Sequence, residues 1–413
     1  MYCTRMRRAL ADGLRGLVRR SRGEVPSVTG LRALSILWVL VQHVHQGLRP
    51  LLFVPAGAAF LTRPALRLGW AGNLGVDVFF VISGYLIGGM LLREREATGR
   101  LSLRRFYVRR AMRILPIYFL AIAASLARGE PNGSHAWANV IFVNDFLPFR
   151  EEFMAHTWSL AIEEQFYALF PLFLLATFLA RPSRRTPILA AALPACAAIA
   201  VEVVFAHHLV LSNVAPDTND FWTYMDLFYV RPYARCTPLF AGVLVARLEQ
   251  TGALARLDAR PVPSAVLLLL GILAAAWVTF VFPEGRDAAG HRTLSGALSL
   301  ALDGPLFGVG VATVLAVSLV RAAPGRVLQG VLGARALRPI ARLSYAAYLF
   351  HPLCIAAVLG RLGFDLAHPA LAYGRLVAAS MIASFAAALP VYLLVELPIM
   401  KMRPPIPSTN GAD

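Results

Sequence analysis

Ten stretches of about twenty mostly apolar residues, joined by short charged connections, constrain this chain more than any other feature. A run of that length matches the hydrocarbon thickness of a bilayer. The stretches fall near residues 30–48, 73–92, 112–127, 158–180, 187–210, 231–248, 263–283, 295–320, 343–360 and 373–397. Inside hydrocarbon each segment must satisfy its own backbone hydrogen bonds, so each is expected to be a helix. Composition agrees: of 413 residues 58% are hydrophobic and 15% charged, against roughly 25% charged in soluble domains. The expected fold class is an all-α integral membrane protein with about ten transmembrane helices. A soluble enzyme, a disordered chain and a disulfide scaffold are excluded. A further apolar patch, 136–147, is too short to span and is expected to be re-entrant or interfacial.

The charge is +17, and all but one of the 40 basic residues are arginine, Lys401 being the exception. The arginines cluster in alternate connections: Arg5 to Arg22, Arg93 to Arg113, Arg181 to Arg185, Arg247 to Arg260, Arg321 to Arg342, then Lys401 and Arg403. The intervening connections hold most of the loop acids, namely Glu130, Asp145, Glu151, Glu152, Asp217, Asp220, Glu284, Asp287 and Asp365. Cytoplasmic loops are the arginine-rich ones, so both termini are expected in the cytoplasm. Counting 136–147 as a span would invert every later loop and destroy the pattern. Three regions follow: a basic cytoplasmic leader over 1–28, a transmembrane domain over 29–400 and a short tail over 401–413. The leader and the tail from Pro404 are expected to be mobile, and no cleavable signal precedes the first span. Cys3, Cys196, Cys236 and Cys354 show no metal or redox spacing and are read as packing residues. No nucleic-acid partner and no metal site are expected.

Ionisable residues inside spans are costly and therefore functional candidates. In TGLRALSILWVLVQHVHQGL, Arg32 and His43 are eleven residues apart. That spacing returns them to one helix face, roughly 16 Å apart along the axis. In NLGVDVFFVISGYLIGGML, Asp77 is buried near one end and needs a partner, a histidine at similar depth being the obvious one. Ser83, Gly84, Gly88 and Gly89 read as a surface for close helix approach. Arg110 and Arg113, spaced i, i+3 at a helix start, suit a polyphosphate, although positive-inside charge explains the run as well. In HTWSLAIEEQFYALFPLFL, His156, Trp158 and Ser159 sit at the outer mouth, with Glu163 and Glu164 deeper. The glutamates are either catalytic or a structural ion pair with an arginine such as Arg235. His351, before Pro352, reads as a packing or helix-ending element; Glu396 lies at the inner end of the last span. His45, His207, His208 and His291 have no constellation around them.

The segments LRALSILWVLVQH, GVDVFFVISGYLI, FYVRRAMRILPIYF, HTWSLAIEEQFY, RCTPLFAGVLVARL, LSYAAYLFHP and VELP, in this order over roughly 28–400, resemble the membrane-bound acyltransferase 3 family. That family includes bacterial O-antigen and exopolysaccharide O-acetylases. The resemblance implies ten spans in the bacterial cytoplasmic membrane and acyl-CoA, most often acetyl-CoA, as donor substrate with no bound cofactor. It implies a saccharide, lipid-linked saccharide or glycoside acceptor. His43 becomes the general base; Asp77, Glu163 and Glu164 are the candidate catalytic carboxylates, and whether Asp77 or a glutamate orients the histidine is open. Arg32, Arg110 and Arg113 would bind the donor, and His156, Trp158, Ser159 and Arg235 the acceptor. A histidine with an ordinary pKa of about 6.5 suits the proton transfer. This chain has Thr237 where many relatives carry an acid after the arginine of the sixth span. With no extracytoplasmic hydrolase-like domain expected, the acyl group passes directly or through a separate periplasmic acceptor protein. The competing class is a proton-coupled transporter or flippase using His43, Asp77 and Glu163; the absence of an inverted repeat or a broken-helix pair argues against it.

Overall fold

The computed structural model describes residues 11–20, 23–210, 219–281, 285–287 and 290–403. Cys3, Arg5, Arg7, Arg8, Arg22, Asp217, Glu284 and the tail from Pro404 lie outside these. The described chain is helical apart from one isolated bridge between Arg286 and Arg292. All ten expected stretches are long helices: α1 Pro26–Gly47, α2 Leu74–Thr98, α3 Leu103–Ala127, α4 Trp158–Leu179, α5 Pro182–Ala206, α6 Pro232–Gln250, α7 Pro261–Phe280, α8 Leu294–Ser318, α9 Leu337–Leu362 and α10 Pro369–Val391. Among the described residues, nine helices are long and apolar enough to cross a membrane. The expected sixth span, α6, is not among them, because Arg235, Arg247 and Glu249 make it too polar by composition. The third span begins at Leu103 rather than near 112. Its first two turns are rich in arginine, so apolar run length understates the helix. Proline is the first residue of α1, α5, α6, α7 and α10, where a missing N–H costs nothing.

The chain forms two compact units. One comprises Met1–Gly75, Ala97–Arg128 and Gly330–Asp413; the other comprises Val76–Glu96 and Gly129–Gln329. In the first, α1 and α9 run parallel, since successive contacts advance together along both. A Cβ on Gly30 would meet Leu332, His43 faces His351, and Gly47 lies against Ile355 and Leu359. The leader, expected to be mobile, is helical over 11–18. Arg338 and Arg342 of α9 donate to its carbonyls at Val18, Gly16 and Arg19, and Gly13 rests on Leu393 and Leu397. Arg342 also pairs with Glu24 at 3.3 Å. The last span continues past α10 through a π turn over Tyr392–Glu396 into Leu397–Lys401. Pro398 cannot donate to the carbonyl of Leu394, which favours that wider turn.

In the second unit α2 and α6 meet backbone to backbone. A Cβ on Gly84 would lie 1.9 Å from the carbonyl oxygen of Leu239, and one on Gly242 would lie 2.0 Å from that of Val81. Gly88 lies against Val243 in the same seam, so the sequence reading of these glycines holds. Contacts again advance together, from Asp77 with Arg235 to Tyr85 with Glu249, so the second and sixth helices are parallel. That direction requires an even number of reversals between them. The segment at 136–147 is therefore not a crossing: it forms a short helix, Ala136–Val140, and a 3-10 turn, Asn144–Phe146. Asn139 donates to the Phe153 carbonyl and Thr157 Oγ1, while Gln165 of α4 donates to Asp145 and to the Phe142 carbonyl. Burial pushes Glu152 in this loop up to about 9, so it is uncharged at neutral pH and can lie 4% exposed.

The partner of Asp77 is Arg235, not a histidine. The two carboxylate oxygens each accept from Arg235 Nη1 at 3.3 Å, and the residues are 1% and 7% exposed. Arg235 also donates Nε to the Tyr229 carbonyl and lies 4.3 Å from the Tyr229 ring centroid and 5.4 Å from that of Trp158. Its rigid donor fork and aromatic cover satisfy a charge in a low-dielectric place. Cys196 of α5 and Cys236 of α6 lie within hydrogen-bonding reach of each other.

Two stability outcomes follow. Gly84→Val should lower the thermal midpoint in detergent by forcing apart two backbones, at a cost of about 1–3 kcal/mol or more. Gly360→Ala, where an added Cβ meets nothing within 4 Å, should leave it unchanged or raise it. Asp77→Ala should cost about 3–5 kcal/mol by stranding the buried guanidinium, and the double variant Asp77→Leu/Arg235→Met should recover most of that loss. Thermal unfolding of the four proteins in one detergent checks both.

Candidate active site

The expected site residues divide between the two units. Arg32, His43, Arg110 and Arg113 belong to the first; Asp77, His156, Trp158, Ser159, Glu163, Glu164 and Arg235 belong to the second.

In the first unit His43 stands on α1 with its Nδ1 2.9 Å from the carbonyl oxygen of Val39. A carbonyl only accepts, so Nδ1 carries the proton and Nε2 holds a free lone pair. The helix itself enforces this tautomer, because the carbonyl four residues back is the nearest acceptor to the ring. Facing it is a residue the sequence analysis set aside. The His351 ring centroid lies 4.4 Å from that of His43, edge-on at 82°. His351 is fully buried in the middle of α9, and its Nδ1 lies 2.6 Å from the Tyr348 carbonyl. It is not a helix end, since α9 continues ten residues beyond Pro352 to Leu362, while its burial and its ring contacts with His43 and Tyr348 fit the packing alternative. Its position in an otherwise apolar span was the available signal. His45, two residues on, is buried against Trp70 and Tyr373 with Nδ1 on the Val41 carbonyl, so it too has surroundings that the sequence did not reveal.

Toward the other end of α1, Arg32 and Arg113 both act on the carboxylate of Glu396, and Arg403 joins them. Arg109, Arg110 and Arg113 of α3 all act in turn on Arg403. The structure thus brings Arg32 and Arg113 to one acid, with Arg110 acting on Arg403 beside it. Burial first, and the neighbouring guanidiniums second, push Arg403 down to about 10, and it stays charged at neutral pH. Such a cluster is an anion site by its chemistry.

In the second unit Glu163 does not pair with Arg235. Its Oε1 accepts from the Ser83 hydroxyl of α2, and Tyr167 donates to Ser83 Oγ at 3.2 Å. Ser83 is therefore a hydrogen-bonding residue as well as a small one. Trp158 opens α4 edge-on to Phe80 and Tyr229, with centroids at 6.2 and 5.2 Å, and is 6% exposed. Ser159 is 5% exposed; His156 lies in the 3-10 turn before α4, and Glu164 is part-buried. Arg235 of α6 pairs with Asp77 of α2, so its acid comes from the neighbouring helix across the seam.

Comparison with known proteins bears on the family. A family model described as an acyltransferase domain, that of acyltransferase 3, matches residues 25–394. The peptidoglycan O-acetyltransferase OatA of Listeria monocytogenes is 33% identical over 178 residues, covering 38% of this chain and 25% of that protein. YrhL of Bacillus subtilis, provisionally named a peptidoglycan O-acetyltransferase, is 31% identical over 203 residues, covering 44% and 28%. A Staphylococcus aureus (strain COL) protein provisionally named an O-acetyltransferase is 34% identical over 173 residues, covering 38% and 25%. The chain spans about a quarter of the length of these curated relatives. No solved structure matches it significantly. With nine-tenths of its length matched, the chain belongs to the acyltransferase 3 family of integral membrane acyltransferases.

Proposed function

We propose that this protein transfers an acetyl group from acetyl-CoA to a hydroxyl of a cell-envelope saccharide, in the bacterial cytoplasmic membrane with both termini in the cytoplasm. The observation that carries the reading is the fixed tautomer of His43: with Nδ1 bound to Val39, Nε2 is left as a base in a span that also carries Arg32. Peptidoglycan is the acceptor favoured by the likeness to OatA and YrhL.

In this mechanism the donor phosphates dock on Arg110 and Arg113 with Arg32 beside them, and the pantetheine arm runs along α1 toward His43. The acceptor hydroxyl attacks the thioester carbonyl while His43 Nε2 takes its proton. The C–S bond then breaks, and His43 returns the proton to the departing CoA thiolate, leaving ester and free thiol. His351 holds the His43 ring edge-on so that Nε2 keeps its direction. Asp77, Glu163 and Glu164 act in acceptor handling: Glu163, tied to Ser83 and Tyr167, presents an oriented carboxylate, and Trp158 with Ser159 and His156 offers a ring and polar groups suited to a sugar. The rival transporter reading predicts solute flux without thioester cleavage.

Purified protein given radiolabelled acetyl-CoA and a peptidoglycan extract should release CoA in an acceptor-dependent way. His43→Ala should reduce that release by about 10²–10⁴-fold, the ordinary value of general-base catalysis. Release unaffected by the substitution would remove His43 from its role. In the same assay Arg113→Ala should raise KM for acetyl-CoA by about tenfold or more with kcat little changed, as expected for loss of a charged hydrogen bond; an unchanged KM would rule out phosphate docking on α3.

A further inference from the structure

The arginine cluster holds more positive charge than the expected Arg-x-x-Arg pair accounts for. Arg109, Arg110 and Arg113 come from α3 and Arg32 from α1. The additional member is Arg403, two residues beyond the end of the last helix at Lys401. Its Nε and Nη2 atoms are fully buried and, among the described residues, have no hydrogen-bond partner. The single acid acting within this group, Glu396, also has a buried oxygen, Oε2, without a donor. Arg403 cannot escape the repulsion by losing its proton near neutral pH. A buried guanidinium with two idle donors, pressed against like charges, is a costly arrangement that a bound polyanion relieves.

The donor carries two separate anionic groups. One is a pyrophosphate; the other is a 3′-phosphomonoester of nearly two negative charges at neutral pH. The 3′-phosphate lies at the end remote from the thioester. Arg403 is the member of the cluster that lies outside every membrane-spanning helix, whereas Arg32, Arg110 and Arg113 lie within helices, Arg32 on the same helix as His43. The terminal phosphate and the terminal arginine therefore correspond. We infer that Arg403 binds the 3′-phosphate of the acyl-CoA donor and makes the protein select CoA over 3′-dephospho-CoA. The inference rests on the reading that donor phosphates dock on this cluster, and it extends that reading from charge attraction to discrimination between two nucleotides.

Equilibrium binding of radiolabelled CoA to the full chain in detergent, competed with unlabelled CoA or 3′-dephospho-CoA, tests it without any acceptor. The wild type is expected to prefer CoA by about tenfold or more. Arg403→Gln should lose that preference by weakening CoA binding alone, with the affinity for 3′-dephospho-CoA unchanged. Arg113→Ala should weaken both nucleotides together. A wild type that binds both equally, or an Arg403→Gln protein weakened equally for both, overturns the assignment while leaving donor docking intact. A wild type that binds neither removes the docking reading itself and the assignment with it. If Arg403→Gln fails to fold, Arg403→Lys keeps the charge without the fork; it should lose part of the preference, and full retention would overturn the assignment.

Discussion

The second unit depends on one buried ion pair. Neither Asp77 nor Arg235 could sit in an apolar span alone, since an isolated charge at that depth costs several kcal/mol. Together they share two contacts, and the guanidinium is further held by the Tyr229 carbonyl and by two aromatic faces. Asp77 lies in the first turn of α2, where the helix dipole favours a carboxylate. Arg235 lies in the first turn of α6, where the dipole opposes it, so its satisfaction comes from neighbours rather than from its own helix. The pair fixes the register of the seam in which Gly84 and Gly242 let the backbones touch. Ser83 beside Gly84 then reaches Glu163. Shifting the register of α2 by one residue would break all three relations at once.

The first unit solves a different problem. His43, His45 and His351 each place Nδ1 on a carbonyl of their own helix, while Arg32, Arg113 and Arg403 converge on Glu396. Charge and base are thus separated along α1: Arg32 acts on Glu396 together with Arg113 and Arg403, and His43 faces the His351 ring. That division would suit the two-part donor proposed above, with a phosphate-bearing handle at one end and an electrophile at the other. It uses the roughly 16 Å that eleven helical residues provide.

Much of this was legible beforehand because it is local. Apolar run length located all ten helices, and the alternation of arginine-rich and acidic connections dismissed 136–147 as a crossing; the parallel run of α2 with α6 reaches the same parity from tertiary contacts. What could not be read was which helix lies opposite which. Periodicity gives the azimuth of Asp77, not the identity of the residue facing it, so Arg235 was offered to the glutamates instead. The same ignorance left Ser83 as mere packing and His351 as a packing or helix-ending element with no named neighbour. The start of α3 was missed for another reason: its opening turns are amphipathic and arginine-rich, and hydropathy discounts them. The leader offered no apolar period strong enough to predict docking, because its order comes from Arg338 and Arg342, more than three hundred residues away.

That distance has a consequence for how the protein is made. The leader helix leaves the ribosome long before α9, and the carbonyls of Gly16, Val18 and Arg19 wait for arginines 320 to 326 residues later in the chain. At ordinary rates of synthesis, about 5–20 residues per second, the wait is roughly 15–60 s. During that interval α1 must hold its place in the membrane without α9 and α10, while the whole of the second unit is translated. The first unit, drawn from three separated pieces of chain, is therefore closed last. A ribosome stalled before α9 would leave an inserted bundle whose histidine has no facing ring and whose arginine cluster lacks its C-terminal member.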